Sequence, residues 1–306
     1  MGGVLIGFAI IGFVTLVGYL VERFGIIGSD AGRALNRAAF FVATPALMFT
    51  VLVKADVDVL LSSFLLTVLC SVAVCAALFI VISRTFLHAP MAETTLGATS
   101  SVYVNANNIG IPVAMYVLGG AQYIAPALLF QQLALAPLAL GLLDLATRRR
   151  VSLASILMQP LRNPMIIASV SGVLVAASGL RLPVPVMAPL ELLGGAAIPM
   201  VLLAFGMSLH GQRPLRAGTG RRQVAVASGI KVVVMPIVAY LFARYTFHMD
   251  GLELFAVVTS AALPTGQNVF NFAARYDRGL VVARDTVLLT TAASIPVLLL
   301  IAALFG

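Results

Sequence analysis

The chain has 306 residues, of which 61% are hydrophobic and only 10% are charged, and its mean hydropathy is +1.07. These values exclude an ordinary water-soluble domain, because such domains carry about 25% charged residues. The net charge of +8 does not indicate nucleic-acid binding, because the basic residues lie between apolar runs and form no stripe with aromatic residues. We therefore expect an all-α protein that lies in a lipid bilayer and binds no nucleic acid.

Most of the chain divides into apolar runs that are separated by short polar connectors. A helix needs about 20 apolar residues to cross a bilayer, and the runs have about this length. In chain order they predict ten transmembrane helices, over residues 3–21, 32–53, 59–83, 92–118, 121–146, 161–179, 186–209, 223–245, 252–273 and 282–304.

The basic residues give these ten helices an orientation. With the N-terminus outside, the outer side carries only Lys54, Arg181 and Arg244, and Lys231 falls inside a helix. The other side carries fifteen arginines, at positions 23, 33, 37, 84, 148, 149, 150, 162, 213, 216, 221, 222, 275, 278 and 284. Because cytoplasmic loops are enriched in Lys and Arg, we predict an inner-membrane protein with both termini on the outer, periplasmic side.

A basic connector over residues 148–160 divides the chain into two segments of five predicted helices, 1–147 and 161–306. An odd number of helices per segment gives the second segment the opposite orientation in the membrane. The second and seventh helices also share a proline at mid-span, Pro45 and Pro199. The sequence therefore predicts two inverted five-helix repeats, an arrangement typical of secondary transporters.

The fourth and ninth predicted helices each contain a polar interruption at mid-span. The fourth has the sequence VNANNIGIP over residues 104–112, and the ninth has PTGQNVFN over residues 264–271. Proline removes a backbone donor, glycine frees the backbone, and Asn and Gln supply hydrogen bonds, so both helices are predicted to break here. The simpler alternative is that these residues only kink each helix and hydrogen-bond to its neighbours.

Two broken helices at matching places in inverted halves indicate a solute site, because half-helix N-termini direct positive dipole ends at an anion. Unwound backbone at membrane depth also needs surrounding protein or a wet cavity. We predict that the two helices cross and that a small organic anion binds at the crossing. The residues predicted to contact it are Asn105, Asn107, Asn108, Thr265, Gln267 and Asn268, and those predicted to shape the breaks are Gly110, Pro112, Pro264 and Gly266.

Ionisable residues inside a membrane are functional candidates, because burying a charge is costly. Lys231 lies roughly 13 Å into the eighth predicted helix, where it balances the charge of the anion, extends its amine to the interface or forms a structural pair. Asp285 and Asp144 lie near helix ends beside arginines, where solvated ion pairs are the simpler interpretation. Lys231 and Asp285 are therefore candidates for charge compensation or ion coupling.

The sequence gives no sign of an enzyme, a metal site or a cofactor. His and Cys residues lack ligand spacing, no Gly-rich loop follows a strand, and Ser, His and acidic residues do not converge on one predicted site. Neither interruption contains an acid, which disfavours a sodium/proton exchanger. A passive channel or sensor stays open as an alternative, and so do proton symport, sodium symport and electrogenic uniport.

The chain resembles the auxin efflux carrier family, whose bacterial members include malonate-type transporters. The resemblance rests on Pro45, on the Asn-rich segment that ends in Gly110-Ile111-Pro112, on Ala262-Leu263-Pro264 followed by Gln267-Asn268, and on Ala283-Arg284-Asp285-Thr286. It implies a ten-helix fold related to bile-acid symporters and sodium/proton antiporters. It also implies a homodimer in which helices one, two, six and seven form a scaffold and the other six form a mobile transport domain that moves as an elevator.

By the same resemblance, Asn105 contacts the substrate carboxylate, Pro264 is the proline of the second crossover, and Gln131 lines the substrate site. This chain has Val104 where plant members have a proline and Met48 where they have a polar residue, and both departures speak against auxin. The resemblance thus implies secondary active transport of a small mono- or dicarboxylate. Sodium-coupled symport of the bile-acid type is the alternative within the same fold.

Overall fold

The computed structural model describes residues 2–28, 30–54, 63–147, 163–180, 182–211 and 220–305. Within these ranges the chain is helical apart from short connectors and one isolated antiparallel bridge. In chain order the helices are α1 (Gly2–Arg23), α2 (Ala31–Leu52), α3 (Ser63–Leu87), α4 (Met91–Val102), α5 (106–116), α6 (Ala125–Thr147), α7 (Pro164–Ser178), α8 (Val184–Leu209), α9 (Arg221–Thr246), α10 (Gly251–Ala262), α11 (Asn268–Tyr276) and α12 (Leu280–Phe305). The predicted connector 148–160 and several of the arginines that gave the orientation lie outside the described residues.

Among the described residues, seven helices are long and apolar enough to cross a membrane, namely α1, α2, α3, α6, α8, α9 and α12. Shorter helices occupy the other three predicted spans. The span 92–118 contains α4 and α5, the span 161–179 contains α7, and the span 252–273 contains α10 and most of α11. The count of ten transmembrane helices therefore stays a prediction.

The ends of α7 show how local sequence sets a helix boundary. Asn163 precedes the helix in extended backbone, and its side-chain oxygen accepts a hydrogen bond from the N–H of Met165 at 3.0 Å. Pro164 fills the first turn, where its missing N–H costs nothing. At the other end Gly179 has φ +66°, the left-handed conformation in which glycine commonly ends a helix.

Packing groups the chain into two units. The first comprises Met1–Ser62, Asn107–Leu129 and Pro160–Gln212, and so contains α1, α2, most of α5, the start of α6, α7 and α8. The second comprises Ser63–Ala106, Phe130–Gln159 and Arg213–Gly306, and so contains α3, α4, most of α6 and α9 to α12. Each unit takes segments from both predicted repeats, because packing follows spatial neighbours and not sequence halves. The two inverted repeats remain a prediction about the sequence.

In the first unit, α1 and α8 pack at backbone distance. A Cβ atom at Gly18 would overlap the carbonyl oxygen of Leu203, and one at Gly206 would overlap that of Thr15. Small residues permit such close approach between membrane helices, where packing replaces the hydrophobic effect as the main source of association. Alanine at either position would force the two backbones apart.

The second unit has a polar interior. Apart from Thr44, Thr50, Asn108 and Ser169, every buried polar or charged side chain described in the structure belongs to this unit. Lipid cannot hydrogen-bond, so polar side chains of membrane helices turn inward and bond to one another. The second unit is therefore the better candidate to contain a solute site.

Candidate functional site

Both predicted interruptions are present in the structure, and both are short. α4 ends at Val102, and residues 103–105 are not helical. α10 ends at Ala262, and residues 263–267 lead into α11. Leu263 has φ −57° and ψ 147°, the values of extended backbone. We call these two stretches the first and second broken segments.

The first broken segment lies upstream of Gly110 and Pro112. Gly110 has the helical values φ −63° and ψ −46°, and Pro112 occupies the first turn of the α-helical part of α5. The wider π turn Ala106–Gly110 comes directly before this part, so α5 does not begin at the proline. Both residues follow the break, and a hinge role for them stays a prediction.

The two broken segments pair with each other inside the second unit. The N–H of Asn105 donates to the carbonyl oxygen of Pro264 at 2.7 Å, and the N–H of Gly266 donates to that of Tyr103 at 2.9 Å. Together the bonds form an isolated antiparallel bridge. Backbone N–H and C=O groups that lose their helical partners need new hydrogen bonds where water is absent. Here each broken segment provides hydrogen-bond partners for the other. We call this pairing the crossing.

Gly266 lets the two segments approach closely. A Cβ atom at this position would lie 3.0 Å from Cδ1 of Tyr103 and 3.0 Å from the carbonyl oxygen of Val104. Both neighbours are buried and so have little room to move. A side chain at this position would therefore have to displace Tyr103 or the backbone of Val104 by a few tenths of an ångström.

Thr265 ties the second broken segment to two helices. Its hydroxyl donates to the carbonyl oxygen of Ser100 on α4 at 2.7 Å, and its N–H donates to the hydroxyl oxygen of Thr290 on α12 at 3.0 Å. The side chain is fully buried. This geometry gives Thr265 a positioning role, while its predicted contact with substrate remains a prediction.

Gln131 holds the first broken segment. It begins a π turn in α6, and its Oε1 accepts a hydrogen bond from the N–H of Val104. The side chain is buried. A proline at position 104, as in the plant members that the chain resembles, has no N–H and could not form this bond. The N–H of Val104 is therefore what allows Gln131 to hold the segment here.

Amide side chains lie beside the crossing. Asn105 is buried, whereas Gln267 and Asn268 are half-buried at the start of α11. The Nδ2 of Asn268 donates to the hydroxyl of Tyr103 at 3.2 Å. The N-terminus of a helix carries partial positive charge, so the start of α11 adds a favourable field for an anion. The structure thus brings Asn105, Gln267 and Asn268 together in one unit.

Asn107 and Asn108 belong to the first unit, unlike the other predicted contact residues. The Nδ2 of Asn107 donates to Oδ1 of Asn108 at 2.9 Å. The Oδ1 of Asn107 is buried and has no hydrogen-bond partner within the described ranges. A contact of either residue with substrate stays a prediction.

Lys231 is buried inside the second unit, within a π turn of α9. Its side chain is 0% exposed, and Nζ donates to the carbonyl oxygen of Ala261 at 2.6 Å. Ala261 lies in the last turn of α10, where carbonyl groups lack helical partners and a basic group is favourable. The interpretation that the amine extends to the interface is therefore wrong. Lys231 instead stabilises the end of the helix that leads into the second broken segment.

Asp285 and Asp144 are both buried, so the expected solvation of these carboxylates is wrong, whereas the expected pairing of Asp285 with Arg284 is present. Asp285 is 1% exposed, and its Oδ1 lies 2.8 Å from Nε of Arg284. Asp144 accepts a hydrogen bond from the hydroxyl of Tyr276 at 2.5 Å. Arg148, the expected neighbour of Asp144, lies outside the described residues. The structure gives Asp285 an ion pair, while its role in ion coupling stays a prediction.

Sequence reasoning missed three residues that hold the crossing, namely Tyr103, Ser100 and Thr290. Thr290 belongs to a stripe with Thr286 and Ser294, spaced four residues apart along α12. This spacing places the three hydroxyls on one helix face and is the signal by which Thr290 could have been found. Ser100 and Tyr103 gave no such signal, because they accept bonds through their backbone carbonyls.

The chemistry available at the crossing is that of hydrogen-bond donation. It consists of neutral amides, a helix N-terminus and, behind the second segment, the amine of Lys231. Within the described ranges, no group of three or more His, Cys, Asp or Glu side chains could hold a metal ion. This donor set suits reversible binding of a solute that carries hydrogen-bond acceptors.

Comparison with known proteins adds to this geometry. A family model described as "Membrane transport protein" matches residues 4–145 and 146–302. A protein of Rhizobium meliloti named "Putative malonate transporter" is 27% identical over 92% of this chain and 89% of its own length. Two archaeal proteins named "Uncharacterized transporter" are also similar. The one from Methanothermobacter thermautotrophicus is 25% identical over 82% of each chain, and the one from Methanocaldococcus jannaschii is 23% identical over 96% of this chain and 94% of its own.

The family match extends over nearly the whole chain, and so it includes both broken segments and all seven long apolar helices. The motifs on which the resemblance rests lie at or beside the crossing or in α2, α5 and α12. The chain therefore belongs to the auxin efflux carrier family of membrane transport proteins and is a multi-pass membrane protein.

Proposed function

We propose that the chain is a secondary active transporter that carries a small mono- or dicarboxylate, malonate-like or auxin-like, across the inner membrane. The observation that carries the proposal is the crossing, in which two membrane helices stop and their broken segments bond to each other. Keeping unwound backbone at membrane depth is costly. A protein keeps such a structure where helix ends and free backbone face a solute, as in many transporter sites.

In this proposal the carboxylate binds beside the crossing. Asn105, Gln267 and Asn268 donate amide hydrogen bonds, and the N-terminus of α11 adds positive potential. Lys231, when protonated, adds a positive charge behind the second broken segment, which favours an anion over a cation. Gln131 holds the first broken segment in place by accepting the hydrogen bond from the N–H of Val104.

The arrangement in the membrane follows the resemblance. We infer ten transmembrane helices in two inverted repeats, both termini on the periplasmic side, and a homodimer. The helices α1, α2, α7 and α8 correspond to the implied scaffold, and their grouping in one packed unit supports this inference. The same unit also contains most of α5 and the start of α6, which the resemblance assigns to the transport domain. The helices of the second unit would then carry the solute in an elevator motion.

The substrate is proposed from the chemistry of the site and from the name of one relative. The amides and the helix N-terminus suit a carboxylate, and the Rhizobium meliloti protein is named for malonate. We therefore take malonate as the first candidate and test longer dicarboxylates and indole acids beside it. The coupling ion is a proton or sodium.

Counterflow in proteoliposomes tests the proposal. Vesicles that contain the purified protein are loaded with unlabelled malonate, succinate or indole acetate and diluted into a trace of the same labelled compound. A carrier exchanges inside for outside molecules, so the label should accumulate transiently above equilibrium for at least one compound. Protein-free vesicles are the control.

The same vesicles separate the alternatives. A channel gives flux that does not saturate and no transient accumulation, and a sensor binds the ligand without flux. Uptake that collapses when sodium is replaced by potassium would indicate sodium-coupled symport of the bile-acid type. If none of the carboxylates shows counterflow, the proposed substrate class is wrong.

A further inference from the structure

A cavity lies in the second unit, outside the crossing. It is a groove of about 390 Å³ between α3, α4 and α6, and it includes none of the residues of the two broken segments. On α3 it is lined by Ala76, Ile80 and Arg84, whose spacing of four residues places them on one face. This volume is within the range of sites that bind small molecules or lipid chains.

The groove is apolar along most of its length. Its threonines on α4 donate their hydroxyl protons to carbonyl oxygens of their own chain segment, Thr95 to Met91 at 2.9 Å and Thr99 to Thr95 at 2.8 Å. They therefore offer no free donor to a ligand. Of the residues that line the groove, Arg84 alone carries a charge. A small dicarboxylate in this groove could pair one carboxylate with Arg84, and its second carboxylate would have no charged partner among the lining residues.

The groove opens outward between α3 and α6. Ile80 is 43% exposed and Leu138 is 60% exposed at its two walls. In a multi-pass membrane protein, apolar side chains that are exposed on the outside of the helices face lipid. A ligand that enters from this side therefore comes from the bilayer.

The position of Arg84 matches the depth of a lipid headgroup. It lies in the last turn of α3, before the connector 88–90, and its guanidinium donates to the carbonyl oxygen of Ala89 at 3.3 Å. From Arg84 to Ala76 the groove follows α3 for eight residues, which is about 12 Å. Half of the hydrocarbon core of a bilayer is about 15 Å thick. The groove therefore extends from one interface toward the middle of the membrane.

We propose that this groove binds one acyl chain of a phospholipid with an anionic headgroup, and that the phosphate binds Arg84. The apolar walls take the chain, and a guanidinium is well suited to a phosphate because it forms bidentate hydrogen bonds. Basic pockets between membrane helices are known to recognise anionic headgroups in this way. The site is distinct from the crossing and does not depend on which solute the protein carries.

Native mass spectrometry of the purified full chain tests the proposal by titration with phosphatidylglycerol or with phosphatidylcholine. One phosphatidylglycerol molecule should bind about tenfold more tightly than phosphatidylcholine, as expected for hydrogen bonds to a charged group. Arg84→Gln should remove this preference. Ala76→Leu fills the groove and should weaken the binding of both lipids about tenfold.

Two matched variants serve as controls. Arg23→Gln removes an exposed arginine at the end of α1, and Ala77→Leu enlarges an exposed residue next to Ala76 that does not line the groove. Both should bind lipid as the wild type does. Phosphatidylglycerol binding that is unchanged in Arg84→Gln and in Ala76→Leu would overturn the proposal. So would an Ala76→Leu variant that changes the oligomeric state but not the lipid bound, because a second copy would then occupy the groove.

Discussion

Replacing Gly266 by alanine should weaken the crossing. The new methyl group would lie 3.0 Å from a buried ring carbon of Tyr103 and 3.0 Å from the carbonyl oxygen of Val104, whereas carbon atoms pack best at about 3.5–4.0 Å. One of the two contacts is with backbone, so the segments themselves must separate by a few tenths of an ångström. Overpacking of this kind costs about 1–3 kcal/mol. Alanine returns about 0.4–1 kcal/mol by restricting the unfolded chain, which leaves a net loss of up to about 2.6 kcal/mol.

Hydrogen exchange measures this loss at the bonds concerned. The N–H groups of Asn105 and Gly266 form the bridge, so peptides that contain residue 105 should exchange about tenfold faster in Gly266→Ala for each 1.4 kcal/mol lost. Saturable uptake should fall in parallel. Gly229→Ala is the matched control, because no atom lies within 4 Å of a Cβ at that exposed position of α9. Wild-type exchange and uptake in Gly266→Ala would refute the argument that close approach sets this residue.

Three further substitutions test contacts of the crossing. Gln131→Leu leaves the buried N–H of Val104 without its acceptor and should lower the stability in detergent by about 1–3 kcal/mol, seen as a lower Tm. Thr290→Val keeps the shape of the side chain but removes the acceptor for the N–H of Thr265, and a loss of similar size is expected from thermal unfolding. Lys231→Met removes the donor to the carbonyl oxygen of Ala261 at the end of α10, so we expect a lower Tm together with at least tenfold slower anion uptake. A lower Tm with normal uptake would show that this lysine is structural.

The breaks in the fourth and ninth helices could be predicted because their cause is local. Proline, glycine and asparagine disturb the helix in which they stand, whatever the rest of the chain does. The residues at which the backbone leaves each helix could be predicted less accurately. Pro112 suggested a break around itself, yet it lies within α5, after the π turn Ala106–Gly110, and the backbone leaves the helix at residues 103–105. A proline shows that one backbone N–H is missing, but it does not show whether the helix unwinds before or after it.

Contacts between helices could not be predicted in the same way. The bond from Val104 to Gln131 joins residues 27 apart in sequence, and that from Thr265 to Thr290 joins residues 25 apart. Periodicity shows which face of a helix is polar, but it does not show which partner that face meets. Lys231 is the clearest case, because its depth in α9 was readable from the sequence and the direction of its side chain was not.

The central claim is that the crossing binds the carried anion, and Asn105→Ala tests it most directly. The substitution removes the side-chain amide but keeps the backbone N–H that bonds to Pro264, so the crossing itself should persist. Asn36→Ala, at an exposed position of α2, is the control. We predict that Asn105→Ala abolishes saturable malonate counterflow while its Tm stays as in the wild type. Asn36→Ala should keep both the Tm and the counterflow of the wild type. Wild-type counterflow in Asn105→Ala would contradict the account.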